Sequence, residues 1–225
     1  MIAGGLFQKM YGIHPIIGGT ANDHKWNARY PFDNNNSPTF KYFGSPTHNA
    51  NGISTNGSSQ LVSTNFSALN FPNTSKQINI YKRNQSNTAT NGICFGTGSG
   101  TRSLALLDRW SNNQMFALLE SNAFAITPTV GAADGQGLLA IKRSGNLGVI
   151  YRNGTVFASN SSFNYIENNI TGIMIGGGIT ETGGLGSYRP VDFSYFSYGE
   201  ALSDAEEAAH YSIVQALQTA LGRQV

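Results

Sequence analysis

Gly137 to Gly154 reads GLLAIKRSGNLGVIYRNG. The run Leu138-Leu139-Ala140-Ile141 leads into a polar loop around Ser144-Gly145-Asn146, and a second run, Val149-Ile150-Tyr151, ends at Asn153-Gly154. Asn and Gly both tolerate positive φ. Placed between Val149-Ile150-Tyr151 and Val156-Phe157, the pair predicts a tight type I′ hairpin. A strand, a loop, a strand and a turn of this kind belong to an antiparallel sheet.

The same alternation recurs outward from this stretch. Gln77-Ile78-Asn79-Ile80-Tyr81-Lys82 places Ile78 and Ile80 on one face. Thr39–Gly44, Ser103–Leu107, Met115–Leu119 and Ala123–Thr127 are further predicted strands, as are Ile173-Met174-Ile175 and Val191–Gly199. Many short strands separated by turn residues predict a β-sandwich, with Ile78, Ile80, Val149, Tyr151 and Ile175 facing inward. One helix closes the chain. Ser203 is its predicted N-cap and Glu206 completes a capping box. Ala209, Ile213, Leu217 and Ala220 form its apolar stripe, with Val214 and Leu221 beside them, and Gly222 terminates it. The expected division is a Gly-rich N-terminal arm over 1–20, the sandwich over 21–202 and the helical segment over 203–225. The arm either packs on its own domain or inserts into a neighbouring subunit.

Composition narrows the function. The chain has 225 residues, enough for one large all-β domain. Charged residues are 12% and the net charge is +2, with Lys and Arg scattered, which argues against a nucleic-acid partner. No stretch approaches the ~20 apolar residues of a membrane helix. The N-terminus has no apolar h-region before a cleavage site, so export by the usual route is not expected, and triplets such as those at Asn65, Asn153 and Asn169 are read as composition. The single cysteine, Cys94, sits in an apolar run and reads as a buried strand residue.

The order of the last third, from the Asn153-Gly154 hairpin through Ile175-Gly176 and Phe193–Tyr198 to Leu202-Ser203-Asp204-Ala205-Glu206, resembles the second half of a concanavalin A-like (laminin-G-like) jelly roll. That resemblance implies an all-β jelly-roll sandwich that binds glycans or other surfaces. Ile17–Ala21, His24-Lys25-Trp26-Asn27, Phe43–His48 and Val214–Arg223 resemble uncharacterised phage and prophage proteins of Bacteroidetes-type hosts. This second resemblance implies a virion protein, either a fibre, a spike or a capsid decoration. Its partners would be other virion proteins and host-surface polysaccharide, and it would commonly be a homotrimer.

Glycan-cleaving relatives on the fold carry carboxylates in a Glu-x-Asp-x-x-Glu arrangement on one strand, because a retaining glycosidase needs two carboxyl groups ~5–5.5 Å apart. Glu120, Asp134, Glu167, Glu181 and Asp192 are isolated from one another in sequence. The chain is therefore expected not to be an enzyme. A glycan-degrading depolymerase on the same fold is the alternative. His14, His24, His48 and His210 show no zinc-site spacing, and no metal or other cofactor is expected. A Ca²⁺ site at Asp33–Asn36 or Asp134 is the alternative, since oxygen ligands need only converge. For a sugar-binding face the candidates are Arg109-Trp110, beside a turn-rich segment, and Tyr188-Arg189, after the Gly-rich loop 182–186. Each aromatic could instead be a core or subunit contact. Trp26 is assigned a structural role.

Overall fold

A computed structural model describes residues 4–32, 38–66, 70–72, 74–84, 92–97, 103–110, 112–120, 125–162, 172–179 and 185–225. In chain order the elements are α1 (Gly4–Lys9), β1 (Met10–His14), α2 (Ala21–His24), β2 (Lys41–Phe43), β3 (Thr47–Asn49), β4 (Gly52–Ser54), β5 (Leu61–Ser63) and β6 (Ser75–Lys82). There follow β7 (Phe95–Gly96), β8 (Leu104–Leu107), β9 (Phe116–Leu119), β10 (Gly137–Ser144), β11 (Leu147–Arg152) and β12 (Thr155–Asn160). The chain closes with β13 (Met174–Ile175), β14 (Gly178–Ile179), β15 (Leu185–Gly186), β16 (Asp192–Gly199) and α3 (Asp204–Ala220).

Two antiparallel sheets form the β-sandwich that the sequence predicts. The larger runs β12-β11-β10-β6-β16-β4-β3, with β1 also pairing β16, and the smaller runs β2-β5-β13-β7-β8-β9. Ile78, Ile80, Leu139, Ile141, Ile150, Phe193 and Phe196 of the first meet Val62, Phe95, Leu104, Leu106, Ala117 and Ile175 of the second in one buried cluster. The predicted hairpin is in place. Asn153 has φ 50° and Gly154 φ 75°, and Arg152 pairs with Thr155 across the turn. The predicted strand at Ala123–Thr127 is reduced, within its described residues, to a single bridge from Ile126 to Ala117.

Two expectations about orientation are corrected. Val149 and Tyr151 are buried, but with Ala140 in a separate cluster, not among the residues between the sheets. Adjacent residues on a strand point to opposite faces, so they lie on the outer face. The Tyr151 hydroxyl pairs there with Asp204 at the start of α3. The helix itself is capped as predicted. The Ser203 hydroxyl accepts from the Glu206 N–H at 3.3 Å, and the Glu206 carboxylate accepts from the Ser203 N–H at 2.8 Å. The face it buries, however, is Glu207, His210, Val214 and Gln218, while Ile213 is 39% exposed. The cause is the polar outer face of the sheet. Gln77 donates to Glu207, and the Ser194 hydroxyl donates to Gln218 at 2.7 Å. Buried polar groups must find partners, and that matching overrides the apolar stripe.

The segment before Thr20, read as an arm, packs on its own domain, with β1 hydrogen-bonded along β16 from Met10 to His14. At the other end of the chain, Gly222 has φ 65°, its N–H reaches the Thr219 carbonyl, and the Arg223 N–H reaches Gln218. This is a Schellman closure. It aims the Arg223 side chain at the turn that follows β1.

Candidate functional site

That turn forms one wall of an open groove of about 430 Å³ lined by Pro15, Ile16, Ile17, Gly18, Asp23 and Trp26. Ile16 has φ 50°, a left-handed conformation that a β-branched residue almost never adopts. Two contacts impose it. The Ile16 side chain is buried in the main core, and its carbonyl accepts from Arg223 Nη1 at 2.6 Å. Gly18 follows with φ 107°, and a Cβ there would come within 2.5 Å of Asp23. Strain held in place by its surroundings clusters at functional sites.

Asp23 is fixed from behind. Its Oδ2 accepts from the Thr20 hydroxyl at 2.8 Å and from the N–H groups of Thr20 and Gly19 at 3.1 and 3.2 Å. These bonds, the hydroxyl's first, hold the carboxyl below its usual range, so Asp23 is an anion at neutral pH. The half-buried indole of Trp26 lies in the same groove with Lys25 Nζ 4.6 Å from its ring centroid. The groove therefore presents an aromatic surface, an oriented carboxylate and a rigid backbone wall.

Beneath α2, His24 Nδ1 lies 3.1 Å from His48 Nδ1 on β3. Tyr42 packs edge-on against His48, with centroids 4.5 Å apart, and its hydroxyl donates to the Ala21 carbonyl at 3.2 Å. Burial pulls both imidazoles below their usual pKa. The stretch Ile17–Asn27, the segment Phe43–His48 and Arg223 are well separated in sequence and converge here.

The residues proposed from sequence lie elsewhere. Arg109 and Trp110 follow β8, where the Arg109 guanidinium donates to Asn113 Oδ1 at 3.0 and 2.8 Å. Trp110 is half-buried, edge-on to Phe116 with centroids 5.6 Å apart. Tyr188 is half-buried. Arg189 is 2% exposed, its Nε paired with Asp108 and its Nη1 donating to the Arg109 carbonyl at 3.1 Å. Arg189 thus ties its own segment to the Asp108–Arg109 segment from inside.

Asp108 belongs to a buried ionic triad, since Lys82 Nζ lies 2.9 Å from its other oxygen. A second triad joins Glu120 to Lys76 at 2.7 Å and to Arg143 at 2.8 Å. Asp134 carries an Arg152 ion pair at 2.7 Å and caps the Gly131 N–H at 2.7 Å. The other candidate calcium residues, Asp33–Asn36, lie outside the described residues, as do Glu167 and Glu181. Cys94 is fully buried, and burial pushes its thiol up, away from reactivity.

No family model and no curated protein matches the chain. Solved structures do match. A mutant of Trypanosoma rangeli sialidase displaying trans-sialidase activity aligns with TM-score 0.64 and 14% identity, over 95% of this chain and 33% of the enzyme. The binding domain of botulinum neurotoxin serotype D aligns with TM-score 0.63 and 9% identity, over 92% of this chain and 52% of that one. Domain 4 of AbnA, an extracellular arabinanase from Geobacillus stearothermophilus, is described in complex with arabinotriose. It aligns with TM-score 0.56 and 14% identity, over 89% of this chain and 97% of the domain. The chain shares their fold. It spans about a third of the sialidase and half of the toxin domain.

Proposed function

We propose that this chain is a carbohydrate-binding domain whose ligand seats in the Pro15–Trp26 groove. The observation that carries the reading is the pairing of a half-buried indole with an oriented carboxylate in one open groove. A sugar ring stacks its C–H face on an aromatic surface, and its hydroxyls donate to fixed acceptors such as Asp23. The sugar-bound state of AbnA domain 4, which matches nearly whole, supports the same reading.

The domain acts by binding alone in this proposal. Glu120 and Asp108 are enclosed in ionic triads, and among the described residues Asp23 is the one carboxylate lining the groove. A depolymerase would instead need a second carboxyl group across the scissile bond. On the sequence resemblance we further propose a phage virion appendage, a homotrimer touching host polysaccharide. Light scattering on the purified protein and mass spectrometry of purified particles test that part.

A glycan array followed by calorimetry tests the site. Binding is expected to fall at least tenfold in Trp26→Ala and to survive in Trp110→Ala. The reverse result moves the site to the Arg109–Trp110 end. Absence of binding to any glycan overturns the proposal, and release of reducing ends from polysaccharide overturns its non-enzymatic half.

A further inference from the structure

From the 3.1 Å approach of His24 Nδ1 to His48 Nδ1, we propose that these two imidazoles chelate one late first-row divalent cation, Cu²⁺, Ni²⁺ or Zn²⁺. Imidazole nitrogens bind such ions at about 2.0–2.1 Å. Two nitrogens 3.1 Å apart then subtend an angle of about 98° at the metal, between the octahedral and tetrahedral values. Nitrogen donors select Cu²⁺, Ni²⁺ and Zn²⁺ over Ca²⁺ and Mg²⁺, with Cu²⁺ bound most tightly.

The pair is built from both sides. His24 is 1% exposed at the end of α2, whose first turn is locked by the Thr20–Asp23 capping box. The Gly18 carbonyl lies beside its ring, close enough to weigh on its protonation, although Nε2 makes no well-formed hydrogen bond. His48 is half-buried on β3, braced by the edge of Tyr42, and its partial exposure gives the ion an entry path and room for water ligands. A hydrogen bond between the two Nδ1 atoms needs a proton on one of them, and metal binding requires that proton to move to Nε2 of the same ring or to leave to solvent. Asp23 favours a positive charge at His24, while buried Arg223 opposes it. The ion would tie α2, which carries Asp23, to β3. This site stands independently of the sugar-binding proposal.

The test uses the untagged full chain at pH 7.5 with CuCl₂, NiCl₂ and ZnCl₂, and CaCl₂ as control. Calorimetry is expected to show one saturable site and melting a rise of roughly 5 °C at excess Cu²⁺ or Ni²⁺, with CaCl₂ inert. Electron paramagnetic resonance of the Cu²⁺ form is expected to show two imidazole nitrogens. His48→Gln, at a half-exposed position, should fold and lose the site. His24→Gln should lose it as well. The proposal is overturned if the parent shows no saturable binding, if CaCl₂ acts equally, or if His48→Gln keeps the same stoichiometry and spectrum.

Discussion

Arg223 Nη1 donates to the Ile16 carbonyl at 2.6 Å across 207 residues of sequence, joining the end of the last helix to the turn after the first strand. A second nitrogen, Nη2, reaches the carbonyls of Pro15 and Ser194 at 3.4 Å. Arg223→Met removes these bonds and leaves the Ile16 conformation, which costs about 1–3 kcal/mol, without its clamp. The expected outcome is a lower melting temperature and weaker glycan binding than in Ile17→Ala, a change at the same groove that leaves the clamp whole. Equal behaviour of the two variants would show that the clamp does not shape the groove.

Glu120 faces both Lys76 and Arg143. Glu120→Gln leaves two buried cations facing each other without a carboxylate between them and should cost about 3–5 kcal/mol. Replacing Lys76, Glu120 and Arg143 together by Met, Leu and Met should cost much less, because no unpaired charge remains. Urea denaturation of the parent and the two variants checks the order.

On α3, Ser203→Ala should cost about 1 kcal/mol. Val214, 1% exposed between Tyr81, Leu138 and Tyr195, should cost more on truncation, about 1.5–3 kcal/mol for Val214→Ala. The sequence alone would rank Leu217→Ala highest. Leu217 is only half-buried, lining an apolar crevice against α1, so its truncation should fall below that of Val214. Thermal melts rank all three.

Acid should destabilise the fold. His14 is fully buried, stacked on Phe40 with centroids 3.9 Å apart, and burial lowers its pKa to about 3. Below about pH 6.5 the unfolded chain takes up a proton that the folded chain refuses, so stability falls as pH falls, by up to about 1.4 kcal/mol per unit for each such group. The shift at His14 sets the window at pH 6.5 to 3, and the lowered pKa values of His24 and His48 add to it in the same direction. His14→Phe should flatten the dependence of the urea midpoint on pH, and an unchanged slope would exclude His14 as its source.

What could be read from the sequence was local. The Asn153-Gly154 turn, the capping box at Ser203 and the inward Ile78 and Ile80 each depend on residues within a few positions. The period-2 pattern fixes which residues share a face but not which face meets the other sheet. Val149-Ile150-Tyr151 is apolar on both faces because α3 and the chain before it cover the outside. The groove was hidden for a different reason. Its lining comes from one stretch, Pro15 to Trp26, but the turn is clamped by Arg223 from the far end of the chain, and its strongest sign, positive φ at Ile16, leaves no trace in residue type. A Thr20-x-x-Asp23 box followed by Trp26 was the one local hint.

Lys76 and Lys82 stand on the same side of β6, one near each end, and each is anchored to a carboxylate carried by the opposite sheet. Greasy layers meet through many near-equivalent offsets, and one sheet could glide over the other by a residue pair at small energetic penalty. Two charged pins along one strand remove that translational freedom, since any glide that keeps one pair engaged must also keep the other. The sandwich is thereby keyed to a single alignment, and the loops at both of its ends inherit a fixed separation.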